Sequence, residues 1–353
     1  MNSSEYNWFK GDRISVGIYG ESHSQSIGVK LTGLDFKDLD EEALRTFMKR
    51  RAPGRNAWST PRKEADEVII DKLEKGDFEA HILNTNIRPQ DYSNLLRTPR
   101  PSHADFTAGL KYGPSFNSSG GGSFSGRLTA PMCIAGFLAL SYLKTKGITI
   151  SSHIKSIAGV EDIPCDDLSL LHEVRNKEFP VLDDARGELM KQKIEEARQD
   201  EDSVGGIIET VIEGMPGGIG GPLFEGIEGK IAQICFAIPA CKGIEFGNGF
   251  TAASLRGSQN NDSLFFEDDK LKLKTNRCGG ILGGISVGGD VAPIVFDAAI
   301  KPTPTIGKEQ MTVDLDKREN VTLKAHGRHD PCIVPRAVPV FEAAAALAIA
   351  DLI

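Results

Sequence analysis

A single α/β domain spanning residues 1–353 is predicted by three features of the sequence: short alternating apolar stretches of strand character, longer interleaved segments with helical periodicity, and no linker or repeat that would divide the chain. With 40% hydrophobic and 25% charged residues, such a chain can bury a large core.

In order, Ile14–Tyr19 alternates as a strand, Gly20–Ser26 breaks the pattern as a loop, and Ile27–Leu34 resumes it. A helix follows from about Leu39 to Arg51 and is stopped by Pro53-Gly54. Residues 55–62 read as irregular, Glu67–Leu73 and His81–Asn84 as strands, and Pro89, Pro99 and Pro101 keep 88–103 extended or turning. Gly120-Gly121-Gly122-Ser123-Phe124-Ser125-Gly126-Arg127 then leads into Leu128–Leu143, an apolar segment of buried-helix length. Leu182–Gln199 is a charged, solvent-facing helix, and Ile207–Ile212 is an apolar strand. The glycine-rich stretches 214–221 and 279–285 read as turns, the second with apolar interleaving that suits backbone packed against something flat. Val338–Ile353 closes the chain as an Ala-rich core or interface helix carrying Glu342 and Asp351.

Composition removes several classes of function. A formal charge of -8 argues against general nucleic-acid binding. The amino terminus lacks an apolar leader and no stretch approaches roughly 18 uninterrupted apolar residues, so a cytoplasmic protein without a membrane span is expected. Six cysteines (133, 165, 235, 241, 278 and 332) form no C-x-x-C pair, which predicts buried thiols, no disulfide framework and no metal.

Against the acidic whole, 45–63 holds Arg45, Lys49, Arg50, Arg51, Arg55, Arg62 and Lys63 without an acid, a one-sign run that suits an anionic ligand as well as a solvated face. Arg88, Arg97 and Arg100 follow, and a guanidinium can bond both oxygens of a carboxylate or phosphate. Gly20-Glu21-Ser22-His23 puts a hydroxyl, a carboxylate and an imidazole at a strand end, where catalytic groups and satisfied structural histidines both occur. Arg100-Pro101-Ser102-His103-Ala104-Asp105 offers a second imidazole beside an orienting carboxylate, and Gly327-Arg328-His329-Asp330-Pro331 a third acid–base set. His81, His153, His172 and His326 have no comparable setting. The glycines of 120–126, ahead of a helix start, can cradle a phosphate or simply form a turn. Lys301-Pro302-Thr303-Pro304-Thr305 holds an ammonium and two hydroxyls on stiff backbone, as a phosphate clamp or an edge strand would. Gly247–Ala252 fits G-x-G-x-x-A, but Pro239 before it and Gly257 to Asp262 after it break the strand–helix context a dinucleotide site needs. Together these residues point to proton transfer on a polyanionic small molecule.

At these motifs the chain resembles the chorismate synthases almost end to end. Gly20–His23, Arg50–Gly54, Thr60–Glu64, Arg100–Asp105 with Lys111-Tyr112-Gly113, Asp202–Gly206, Lys242–Phe250, Gly279–Gly284, Lys301–Ile306 and Gly327–Pro335 occur in the family's order. The resemblance implies a β-α-β sandwich of the family's own kind, a homotetramer, and a lyase that converts 5-enolpyruvylshikimate 3-phosphate to chorismate and phosphate by 1,4-anti elimination. It also implies reduced FMN, with NADPH as an electron source for its reduction. By family role His23 neutralises the departing phosphate, His103 serves the reduced flavin, and Asp330 acts with flavin N5 in removing the ring hydrogen. Ser22, Arg51 and Arg100 would bind substrate. Ser123, Phe124, Ser125, Arg127, Pro239, Ala240, Gly283, Lys301, Pro302, Thr303, Pro304, Thr305 and Arg328 would bind the flavin. The chain departs from the family at Ser123, where relatives carry arginine, at Ala57, where many carry a basic residue, at Val287, where a polar residue is common, and over the shortened stretch 71–82. Two other classes stay open: a nucleotide-dependent reductase using Gly247–Ala252, which would oxidise NADPH without FMN, and a non-catalytic anion-binding protein, which would release no phosphate.

Overall fold

The computed structural model describes residues 6–36, 38–54, 58, 64–85, 95, 97–113, 116, 119–325 and 330–353. Strands β1 (Asn7–Lys10), β2 (Ser15–Gly20) and β3 (Ser26–Thr32) precede helix α1 (Glu41–Arg51), and β4 (Val68–Glu74) and β5 (Asp77–Leu83) complete an antiparallel sheet ordered β1-β2-β3-β5-β4. Local chemistry sets the bounds of α1. Asp40 Oδ1 accepts the Ala43 N–H at 2.9 Å, Glu41 and Glu42 sit in the first turn, and Lys49, Arg50 and Arg51 fill the last, so the charges oppose the helix dipole.

Helices α2 (Asp105–Tyr112) and α3 (Thr129–Thr145) come next, then β6 (Thr149–Ile157), β7 (Val160–Glu161), α4 (Ser169–Val174), α5 (Asp184–Gln199), β8 (Gly206–Glu213), α6 (Ile227–Cys235) and β9 (Cys241–Phe246). The remainder comprises α7 (Gly257–Asn260), β10 (Leu264–Glu267), β11 (Lys270–Leu273), β12 (Ile281–Leu282), β13 (Ile285–Ser286), β14 (Ile294–Ile300), β15 (Gln310–Asp314), β16 (Glu319–Leu323) and α8 (Val334–Leu352). A second five-stranded antiparallel sheet runs β7-β6-β8-β14-β9; β10-β11, β12-β13 and β15-β16 are separate hairpins. Every strand pair among the described residues is antiparallel, so the predicted α/β alternation resolves to α+β.

Between the sheets lies a helical layer. α3 packs on β2, β3 and β5 of the first sheet, α8 packs on β6 and β8 of the second, and the two helices pack on each other, giving a β-α-β sandwich with one core cluster through all three layers. Small residues allow the close crossing: a Cβ added to Gly136 would come 2.2 Å from the Cβ of Ala343. The Ala-rich character of α8 thus has a packing cause. Its acids are tied down as well. Glu342 accepts two hydrogen bonds from Arg50 at 2.6 and 2.9 Å, and Asp351 accepts backbone N–H groups of Asp12, Arg13 and Ile14 at 2.8 to 3.0 Å. One stretch, Gly126–Thr145, is long and apolar enough to cross a membrane, but 72% of that window is buried here as the core of the sandwich.

Two expectations are refined by the fold. The pattern at 247–252 does follow a strand directly, since β9 begins after Pro239; what it lacks is the helix, because a short 3-10 turn at Gly249–Ser254 and the four-residue α7 replace it. The flat partner of the 279–284 tract is another glycine loop: a Cβ on Gly284 would sit 2.3 Å from the Gly221 carbonyl oxygen. The expectations at 55–57, 59–63, 86–94 and 326–329 lie outside the described residues.

Candidate active site

A cleft of about 830 Å³ opens where loops from both sheets meet. It is lined by Ser22 and His23 from the β2–β3 loop, Arg51 from α1, Arg100 and His103 from the segment before α2, and Ser123 to Arg127 from the glycine loop. Pro239 and Ala240 enter from the α6–β9 turn and Lys242 from β9, and Lys301, Thr303, Pro304 and Thr305 from the chain after β14; Asp330 and Arg336 close the wall at the start of α8. Residues more than 300 positions apart in sequence therefore share one cavity.

The glycine loop brings the two imidazoles together. Gly120, Gly121 and Gly122 have φ of 59°, 94° and 54°, a left-handed run that side chains disfavour. A Cβ on Gly120 would lie 2.4 Å from His23 Nε2 and 2.8 Å from Ser22 Oγ, and one on Gly121 would lie 3.3 Å from His103 Nε2. Adjacent glycines thus seat against the two rings, and the Ser22 N–H donates to the Gly122 carbonyl at 3.2 Å.

His103 has a defined orientation. Its Nδ1 stands 2.8 Å from Asp105 Oδ1 and 3.1 Å from Arg100 Nη2; an ionised carboxylate only accepts, so the shorter contact is an Nδ1–H donated to Asp105, and Nε2 is the ring atom beside the glycine loop. Asp105 also accepts from Arg100 Nε and Nη2, both at 2.7 Å, and Arg100 Nη1 donates to Thr305 Oγ1 at 3.2 Å. Burial alone would raise the Asp105 pKa, but the hydrogen bonds from Arg100 and His103 outweigh it and hold the carboxyl well below its usual range.

A second buried pair of cations shares Asp66. Arg51 Nη1 donates to Asp66 Oδ2 at 2.7 Å, its Nη2 to the Gly126 carbonyl at 2.8 Å and its Nε to Thr129 Oγ1 at 3.2 Å. Arg127 Nη1 bonds Asp66 Oδ1, and Arg127 Nε donates to Asn84 Oδ1 at 3.1 Å with Glu64 Oε2 at 3.3 Å. Burial pushes Asp66 up, yet the two guanidinium groups win and lower its pKa. Arg127 Nη2 and Ser22 Oγ are buried without a hydrogen-bond partner among the described residues. A buried donor left unmatched costs about 1–3 kcal/mol, so both atoms fit an acceptor-rich ligand.

At the other wall, burial and the nearby Lys242 ammonium lower the Lys301 pKa, while Lys301 Nζ donates to the Ser102 carbonyl at 2.6 Å. Thr303 Oγ1 donates to the Asp330 carbonyl at 2.8 Å, and Asp330 Oδ2 accepts from Arg336 Nη1 at 2.7 Å. Ser125 Oγ accepts the Arg127 N–H at 3.2 Å, and Phe124 presents its ring at the lip against Tyr112 and Phe116.

Of the residues singled out in the sequence, Pro302 and Gly283 do not line the cleft, Gly283 lying in the β12–β13 turn, and Arg328 is outside the described residues. The basic run separates into different tasks: Arg45 pairs with Glu41 and Glu42 at the surface, Arg50 turns to Glu342 in the core, and Arg51 enters the cleft. Arg336 and Asp66 escape sequence reasoning, and Lys242 and Glu64 stand in recognised motifs without a site role assigned to them. Arg336 adjoins a motif already recognised, and the acids have one general signal, that a buried guanidinium demands a carboxylate.

The family model for chorismate synthase matches residues 14–353. Relatives named chorismate synthase include those of Lancefieldella parvula, 42% identical over 97% of this chain and 94% of its own length, and of Methanocaldococcus jannaschii, 41% identical over 97% and 95%. That of Thermococcus kodakarensis is 42% identical over 97% and 96%. A crystal structure of a chorismate synthase superposes with a TM-score of 0.74 at 26% identity, covering 97% of this chain and 92% of that one. Sandwich architecture, motif order and identity along nearly the whole length agree, and the chain belongs to the chorismate synthase family.

Proposed function

We propose that the chain converts 5-enolpyruvylshikimate 3-phosphate to chorismate and inorganic phosphate, using reduced FMN. The observation that carries this reading is the pair of imidazoles against one glycine loop, facing a cleft with an unmatched guanidinium donor and two lysines. The donor set fits two phosphorylated, planar or carboxylated molecules. Lys301, Lys242, Thr303 and Thr305 would hold the flavin phosphate, with Ser123, Phe124, Ser125, Pro239 and Ala240 along its ring. Arg51, Arg127, Arg100 and Ser22 would bind the substrate's phosphate and carboxylates.

In the elimination a ring C–H bond and the phosphate C–O bond break, the C–H electrons form one double bond while the existing ring double bond shifts toward the C–O carbon to form the second, and phosphate leaves with the C–O pair. Asp330 accepts the ring proton, and His23 supplies a proton or positive charge to the departing phosphate. His103, oriented by Asp105, would direct Nε2 toward the flavin site. Reduced FMN, when bound, would supply transient electron density for cleavage of the C–O bond without net oxidation. The homotetramer the family resemblance implies would cover exposed Leu223 (89%), Phe224 (95%), Phe250 (82%) and Phe266 (76%).

The test is anaerobic release of phosphate, with formation of a conjugated diene, from enolpyruvylshikimate phosphate and reduced FMN. Wild-type protein is expected to turn over. His23→Ala and Asp330→Ala are expected to lose about 100-fold or more in kcat while retaining wild-type melting behaviour. A folded wild-type protein that releases no phosphate would refute the reading.

A further inference from the structure

We infer that Arg336 is a positioning residue that holds Asp330 and Arg51 in a common register, so that the proton acceptor and the substrate-binding guanidinium meet the same ligand. The inference rests on the lyase reading above. Arg336 sits in the first turn of α8, behind Pro335, and its guanidinium reaches two separate parts of the cleft. Nη1 donates to Asp330 Oδ2 at 2.7 Å, and Nε donates to the backbone carbonyl of Arg51 at 3.2 Å. Asp330 is in turn stapled through its own carbonyl to Thr303, within the lysine- and threonine-bearing segment, and Arg51 is stapled through Asp66 to Arg127. Arg336 is therefore the link between the Asp330–Thr303 wall and the Arg51–Asp66–Arg127 wall.

Stability alone gives no reason for a guanidinium here. A buried ionic pair is often no more stabilising than apolar side chains of the same volume, so an arginine bridging two cleft walls is best explained by the geometry it fixes. A planar fork suits this task, since one edge addresses a carboxylate while the remaining N–H addresses a carbonyl. Arg336 also lines a second, small cavity of about 40 Å³ together with Arg50, Lys177 and Glu178. Truncating the side chain would join that cavity to the cleft and leave room for a guanidinium ion.

The experiment measures anaerobic phosphate release by wild type, Arg336→Ala, Arg336→Lys, Asp330→Asn and the Arg336→Ala/Asp330→Asn double variant, with melting curves for each. Arg336→Ala is expected to lose about 100-fold in kcat, the scale of a misplacement near 1 Å, with substrate KM changed far less. Guanidinium ion in millimolar amounts restores part of that loss, Arg336→Lys restores less, and the double variant falls well short of the product of the two single losses, because most of the Arg336 effect passes through the Asp330 carboxylate and only a remainder through the Arg51 backbone. Fully additive losses, or an Arg336→Ala protein with wild-type kcat, would overturn the inference. If Arg336→Ala does not fold, Arg336→Lys carries the same additivity test with Asp330→Asn. A folded wild type that turns nothing over refutes the lyase reading itself and removes this inference with it.

Discussion

Gly120 and Gly121 are the residues on which the geometry of the cleft turns, because the left-handed backbone there lets two rings approach the same loop. Gly120→Ala adds strain of about 1–2 kcal/mol for the left-handed conformation. It also drives a methyl group into the space of His23 Nε2, 2.4 Å away. The expected outcome is a drop in urea-unfolding stability of that size with a fall in kcat of about 100-fold, more than strain alone explains, since the ring must move. Wild-type turnover in a Gly120→Ala protein would show that His23 has no fixed place in the chemistry. Individual residues were legible from the sequence in proportion to their local context. Ser22, His23, Arg100 and His103 stand in motifs whose neighbours share the cleft, whereas Arg50 and Arg51, adjacent in sequence, diverge by one helical step into the core and the cleft. Nothing in the local sequence distinguishes them, because the acids that decide, Glu342 and Asp66, are supplied by distant segments.

At the scale of elements, the second sheet carries a buried charge row that sequence periodicity does not register. His153 on β6 faces Glu209 on β8, with Nε2 3.1 Å from Glu209 Oε1 and Nδ1 3.6 Å from Asp162 Oδ2; Lys155 bridges Glu209 at 3.0 Å and Asp297 of β14 at 2.5 Å. Burial pulls the His153 pKa down, but the two carboxylates prevail and raise it to about 9. The folded value lies above the unfolded one of about 6.5, so the stabilisation is fully present below that pH and is lost as pH rises through the folded value. Unfolding free energies of wild type and His153→Gln from urea titrations, compared at pH 6.5 and 9.5, should converge at the higher pH by about 1–3 kcal/mol. Parallel pH curves for the two proteins would contradict the charged state assigned to His153. The same sheet marks the limit of what patterning predicts. β8 was legible as an apolar run, while β6, with Ser151, Ser152, His153 and Lys155 among its residues, breaks the apolar signal and is held as a strand by its partners. Helices α3 and α8 were legible because a fully buried helix is apolar all round and needs no periodicity.

Across the whole molecule, the cleft draws its walls from both sheets, and the helical layer joins those sheets through one core cluster. The sequence carries a formal charge of -8, yet Arg51, Arg100, Arg127, Lys242, Lys301 and Arg336 all converge on this cavity, a concentration of cations that only the tertiary fold creates. The architecture was legible through motif order, but this convergence was not, since the strand order β7-β6-β8-β14-β9 is fixed by long-range pairing that no local pattern encodes. A ligand bridging both walls must therefore stabilise the sandwich as a unit. With FMN at about 100 times its Kd, unfolding should become more costly by about 2.7 kcal/mol, and the calorimetric trace should remain a single transition displaced to higher temperature. Added inorganic phosphate should weaken the effect by competing for the lysines, and rising salt should weaken it further through screening. Two transitions, only one of which responds to FMN, would mean that the sheets unfold independently and that the flavin is held by one wall alone.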